Sequence, residues 1–342
     1  MDVIKKHYEK NNIHIAFLLS KILRAKIQFK DKNEFNDIFH KLVIKLDNNI
    51  FKNKYTRVLL TCNWCSNKEL CDLWNKFSRG NYCWNDIQVV WEEPCDYYCV
   101  INYPSIKIIP EKTIVFFMEP NVTLDYNQYW VNIPKNNFKF YGEHKNHYNN
   151  NEWHLSKNYL SLKNEPIIKD KKLDNVISAI LSDKYVDPGH KKRINFAKFL
   201  EARDVKLHIF GNSAKFNWDN YMGTLPYHTK DDGLFPYKYT FNVENHSIEN
   251  YYTEKIIDAI LSECLIFYHG CPNMKDLIDE RAFVWLELKD FKSDFEIVRK
   301  ALEEDLWSQR IEFIRKEKFR ILEELQFFPR LEKIIYSENI QI

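Results

Sequence analysis

Residues 239–268 read YTFNVENHSIENYYTEKIIDAILSECLIFY, a strand, a polar loop, a helix and a second strand in succession. Tyr239 to Val243 reads as a strand, and Cys264 to Tyr268 is a short apolar run of the kind that parallel sheets bury on both faces. Between them Ile256, Ile257, Ile260 and Leu261 recur at helical spacing, predicting an amphipathic helix over Thr253 to Ser262. Thr253 suits the N-cap, where its hydroxyl accepts from an orphan amide of the first turn. Glu254 matches the positive end of the helix dipole, whereas Lys255 beside it does not. A docked anion such as a phosphate would make a cation favourable there, and a solvated lysine fits the spacing as well.

Working outward, the same alternation extends both ways. Arg57 to Thr61, Ile87 to Trp91, Tyr97 to Asn102 and Thr113 to Met118 read as strands, with an amphipathic helix over Lys68 to Phe77. Pro94, Pro104, Pro110 and Pro120 punctuate the strand ends. Residues 124–172 are polar and Asn-rich, and are expected to form surface loops between two domains. A second unit follows: strand Asn175 to Leu181, helix Gly189 to Arg203, strand Val205 to Phe210, then the opening stretch. A helix from Met274, a strand over Phe283 to Leu286 and a long helical tail from Asp294 to Ile335 complete it. Ile15, Leu18, Leu19, Ile22 and Leu23 predict a helical start to the chain. Two α/β units facing across a cleft is the GT-B arrangement, with ligands expected at the carboxyl ends of the strands.

Composition narrows the chemistry. Of 342 residues, 50 are Lys or Arg and 48 Asp or Glu, a formal net charge of +2, so there is no long-range pull on nucleic acid or an anionic membrane. Only 7 Gly occur, and they are scattered, which argues against Rossmann dehydrogenase and Walker motifs. Cys62 and Cys65 form a C-x-x-C, with Cys95 and Cys99 beyond. A zinc site there would have to sit among apolar strand positions, so reduced buried thiols are the expectation. Neither a leader nor a bilayer-length apolar run is legible, so a cytoplasmic protein, soluble or peripherally membrane-associated, is expected.

Five segments carry a family resemblance. Glu244-Asn245 and Tyr251-Tyr252-Thr253-Glu254-Lys255 resemble the donor motif of α-1,3/4-fucosyltransferases (glycosyltransferase family GT10), an F-x-E-N box followed by Y-x-T-E-K. CLIFYHGCPN at 264–273 resembles that family's P-I-x-x-G-x-P segment, with Cys264 or Leu265 in place of the first proline. FVWLELKDF at 283–291 is similar to its F-V-N-V-x-D-F continuation. Ser178 to Lys184 with Arg193 resembles an S-N-x-x-x-x-R segment, and Phe116-Phe-Met-Glu119-Pro resembles F-x-E-[SP].

The N-terminal helical extension (1–52), read from spacing, lies outside the resemblance. The resemblance implies a GT-B fold with an acceptor-side α/β domain (53–165) and a donor-side α/β domain with helical tail (166–342). It implies an inverting transferase moving fucose from GDP-fucose to a glycan acceptor, with Glu119 as general base. Arg193 would meet the pyrophosphate and Lys255 the phosphate, Glu254 the ribose, and Glu244, Asn245 and Tyr251 the rest of the donor pocket. No metal or further cofactor is required in this scheme. Another GDP-sugar, or a glycan-binding protein that keeps the fold without turnover, are the alternatives.

Overall fold

The computed structural model describes residues 55–118, 152–167, 173–226 and 229–336. The expected extension over 1–52, the general-base candidate Glu119 and most of the expected loop region lie outside these residues.

The first lobe is built from β1 (Thr56–Thr61), α1 (Asn67–Trp74), β2 (Cys83–Trp84), β3 (Ile87–Val90), β4 (Tyr97–Ile101) and β5 (Thr113–Phe116). They form a five-stranded sheet in the order β2-β3-β1-β4-β5, parallel except for β2, which runs antiparallel to β3. Helix α1 starts where it does because Ser66 and Glu69 form a reciprocal capping box.

The second lobe comprises β6 (Leu173–Ile180), α3 (Pro188–Glu201), β7 (Leu207–Phe210), β8 (Tyr221–Gly223), β9 (Tyr237–Val243), α4 (Glu254–Leu261), β10 (Leu265–His269), α5 (Met274–Leu277) and β11 (Phe283–Trp285). Helix α2 (Tyr159–Asn164) precedes it. The sheet order is β11-β10-β9-β6-β7-β8, with every pairing parallel. The chain winds outward from β6 through β7 to β8, then crosses to β9 and winds outward through β10 to β11. The connections therefore part company between β6 and β9, and their carboxyl ends leave a crevice. Ile256, Ile257, Ile260 and Leu261 of α4 are fully buried against this sheet, each stabilising by about 1.5–3 kcal/mol.

The tail is helical, as expected, but in three pieces: α6 (Phe291–Glu303), α7 (Leu306–Arg320) and α8 (Phe327–Tyr336). Asp305 breaks the first junction in a left-handed conformation (φ 44°), which short polar side chains tolerate. A π-helical turn over Ile321–Leu325 makes the second, and Gln326 there donates from Nε2 to the Phe77 carbonyl at 3.1 Å. Beyond it, α8 lies against the first lobe. Phe327 meets the rings of Trp74 and Phe116, Phe328 stacks on Trp84, and Trp84 Nε1 donates to Glu332 at 3.2 Å.

Residues 152–167 correct one expectation. They are not plain surface loop, since Trp153, Leu155, Tyr159 and Leu162 are buried and the Trp153 ring centroid stands 4.4 Å from that of Phe77. Five core residues, Ile167 being the fifth, diluted among polar ones leave no periodicity to read. All eight cysteines are free thiols. The Sγ atoms of Cys62 and Cys65 lie 3.4 Å apart, Cys95 packs beside Leu59, Val90 and Tyr98, and Cys99 is buried in the main core. Among the described residues no three His, Cys, Asp or Glu side chains gather as metal ligands.

Candidate functional site

A cleft of about 410 Å³ opens at the carboxyl ends of β6, β7 and β9, where the sheet's winding reverses. That volume is in the range of small-molecule sites. Leu181 and Ser182 follow β6, Gly211 and Asn212 follow β7, Asn242 belongs to β9 and Asn245 follows it. His190 and Arg193 enter from the first turns of α3, and Glu254 and Lys255 from the first turn of α4. Two helix amino ends therefore face the cleft, each carrying the positive pole of its dipole. The lining includes Lys184, Arg193, Lys230 and Lys255 against the single carboxylate Glu254, so the site favours an anion.

Gly189 explains how α3 comes so close. Its amide donates to the Asn245 carbonyl at 3.2 Å, and a Cβ there would stand 1.9 Å from the Glu244 carbonyl oxygen. Only glycine allows the helix start to pack on the backbone that leaves β9. Gly211 has φ +94° and presses on the Leu181 carbonyl, so it too requires glycine.

Arg193 is the buried cation of the cleft lining. It is 4 % exposed; Nη2 donates to Ser182 Oγ at 2.8 Å and Nη1 to Asn245 Oδ1 at 3.2 Å. Its Nε is buried without a hydrogen-bond partner, and among the described residues no carboxylate pairs with it. Burial pulls its pKa down, and the more distant charges of Glu244, Glu254 and Asp187 pull it back up. A guanidinium held this way is costly until an anion arrives.

Lys255 is different. Its Nζ donates to Glu244 Oε2 at 3.1 Å and to Thr253 Oγ1 at 2.9 Å. Glu244 is 1 % exposed and also accepts from the Thr253 amide (2.9 Å), the Thr253 hydroxyl (2.8 Å) and Tyr268 OH (3.3 Å). The anion that accommodates a lysine at this helix start is thus supplied by the chain itself. Glu244 stands behind the cleft wall rather than in its lining. Tyr251 is likewise buried, sharing a small apolar cluster with Val100, Val115 and Phe117 of the first lobe. Of the expected donor-site residues, Arg193, Asn245, Glu254 and Lys255 meet in the cleft lining.

Residues that the sequence reading did not single out complete the wall. Lys230 Nζ bridges Glu254 Oε1 (3.1 Å) and Asp258 Oδ2 (2.8 Å). Asp258 Oδ1 accepts from the His154 amide at 2.7 Å, and the Lys230 amide donates to the His154 carbonyl at 2.8 Å. Burial raises the Glu254 pKa, but Lys230 first and then Lys255 outweigh it and hold the carboxylate well below its usual range. The Asp187 amide donates to His190 Nδ1 at 3.2 Å, leaving Nε2 to carry the proton. Burial and then the Arg193 charge lower the His190 pKa. Lys230 lies in a polar run, TKDDG, that carries no sequence signal of its own.

No family model and no curated protein matches the chain by sequence. Among solved structures, a glycosyltransferase from Rickettsia africae ESF-5 is similar at TM-score 0.50 and 10% identity, over 83% of this chain and 100% of that one. An α1,3-fucosyltransferase with GDP is similar at TM-score 0.47 and 15% identity, over 83% and 91% of the two chains. S. aureus TarM is similar at TM-score 0.46 and 13% identity, over 70% and 54%. At such identities the likeness to the Rickettsia protein concerns the fold, which is GT-B-like, with two Rossmann-like α/β lobes.

Proposed function

We propose that this chain is a GT-B-type glycosyltransferase that takes its sugar from a nucleoside-diphosphate donor bound between α3, α4 and the ends of β6 and β9. The observation that carries the reading is Arg193, a buried guanidinium with an unpartnered Nε and no paired carboxylate, at a crevice lined with further cations. A diphosphate is an anion of the size and charge such a site accommodates, and Arg offers it a planar fork. The second lobe (166–342) would be the donor side and the first (53–165) the acceptor side, with 1–52 as an extension.

In this reading the acceptor oxygen attacks the anomeric carbon while its proton passes to a base, and the bond to the diphosphate breaks. Arg193 and Lys255 offset the charge that develops on the leaving group. Glu254 accepts from ribose hydroxyls, and Asn245, oriented by its bond to Arg193, lines the donor pocket. Glu244 and Tyr251 act from behind, Glu244 by holding Lys255 and Tyr251 by seating the loop before α4. Glu119, which follows β5 in sequence, is the proposed general base.

GDP-fucose is the donor that the motif resemblance favours, and another GDP-sugar is supported equally by the cleft itself. A non-catalytic glycan-binding protein is the reading from a different class. Among the described residues no helix is long and apolar enough to cross a membrane, and a cytoplasmic setting accords with a nucleotide-sugar supply. The separating experiment is Glu119→Gln. Transfer from GDP-fucose or GDP-mannose should be abolished with GDP affinity nearly unchanged. Equal loss of both would make the glutamate structural, and absence of turnover in the unaltered protein that still binds GDP-sugars would favour the binding-protein reading.

A further inference from the structure

We infer that Lys230 is a positioning residue of the donor site, holding the Glu254 carboxylate aimed into the cleft while Asp258 and the His154 backbone anchor Lys230 in turn. The inference rests on the donor-site reading above. Glu254 and Asp258 stand four residues apart on one face of α4, where two carboxylates repel each other. Asp258 is buried and Glu254 half-buried in the cleft wall, and the ammonium of Lys230 lies between them at 2.8 and 3.1 Å. Lys230 is held from several directions. Its amide binds the His154 carbonyl, its carbonyl accepts from the Gly233 amide, and its Asp258 partner accepts from the His154 amide. The lysine therefore sits on a frame that also carries His154 into the cleft lining.

Removing the ammonium leaves two like charges four residues apart, and the more buried of them, Asp258, whose pKa burial already raises, takes up the proton first. Lys255 lies 3.8 Å from Glu254 but donates to Glu244 at 3.1 Å, and Arg193 would be engaged by the diphosphate. Lys230 is thus the cation that bonds Glu254 directly, and without it the carboxylate loses the partner that fixes its direction into the cleft.

The test uses full-length protein with Lys230→Met and Lys230→Arg, and GDP as the probe in calorimetry at neutral pH. The inference expects about a tenfold loss in Lys230→Met and near-recovery in Lys230→Arg. With Glu254→Gln as background, Lys230→Met should cost little more. Unchanged affinity in Lys230→Met, no recovery in Lys230→Arg, or a full additional loss in the Glu254→Gln background would overturn it. The carbon-13 shift of the Glu254 carboxyl provides a readout without nucleotide. It should move in Lys230→Met and return in Lys230→Arg, and an unmoved signal refutes the inference even if GDP does not bind, an outcome that would separately refute the donor-site reading.

Discussion

Lys255 Nζ lies 3.1 Å from Glu244 Oε2, and the same buried carboxylate binds both the amide and the hydroxyl of the helix cap Thr253. One side chain leaving β9 thereby sets the start of α4 and the direction of its lysine. Glu244→Gln keeps the shape and removes the charge, leaving Lys255 only the more distant Glu254 at 3.8 Å. The expected loss is about 2–4 kcal/mol in denaturant unfolding, with weaker GDP binding beside it. A Glu244 that served only as a ligand contact would weaken binding at an unchanged unfolding midpoint.

Arg193 should show the opposite balance. Its charge is desolvated and has no carboxylate partner among the described residues, so Arg193→Met is expected to stabilise the free protein by about 1–3 kcal/mol while removing nucleotide binding. Thermal unfolding with and without GDP checks both halves. A destabilised Arg193→Met protein would mean the guanidinium is a structural support.

Glu152 sits close to the same cluster, and burial first, then the charges of Glu254 and Asp258, push its pKa up to about 8. An acid whose folded pKa exceeds its unfolded value contributes stability that is complete below the unfolded pKa. That contribution is lost as pH rises toward 8, because the unfolded chain releases its proton first. Glu152→Gln mimics the protonated form, so it should leave stability near pH 4 almost unchanged and raise it by roughly 1–3 kcal/mol at pH 8–9. An equal effect at both pH values would place the group's titration elsewhere.

Gly189→Ala tests the close approach of α3 to the chain leaving β9. The added methyl would meet the Glu244 carbonyl at 1.9 Å, a backbone atom that cannot swing aside. A loss of about 1–3 kcal/mol is expected, with reduced GDP affinity because His190 and Arg193 ride on the displaced turn. A neutral substitution would show that the helix start has room to shift.

Much of the fold is legible in residues 239–268, where Cys264 to Tyr268 is an unbroken apolar run and α4 has a clear face and cap. The short edge strands Cys83–Trp84 and Tyr221–Gly223 escape such a reading because two or three residues carry no period. The return of α8 to the first lobe is a tertiary choice, made by Phe327 and Phe328 on partners more than two hundred residues away. In the site, Arg193, Asn245, Glu254 and Lys255 line one cleft although they come from separate segments. The ion-pair logic is what sequence cannot supply. Lys255 beside an acidic residue reads as a free cation until Glu244 is seen under it, and Lys230 stands apart from Glu254 in an unmarked loop.

The central claim is that the cleft binds a nucleoside-diphosphate sugar through Arg193. Calorimetric titration of GDP-fucose, GDP-mannose and UDP-sugars into the unaltered protein and Arg193→Ala tests it most directly. The account predicts saturable binding of a GDP-sugar, weakened roughly 10- to 100-fold in Arg193→Ala. No binding of any nucleotide sugar, or equal affinity in the two proteins, would contradict it.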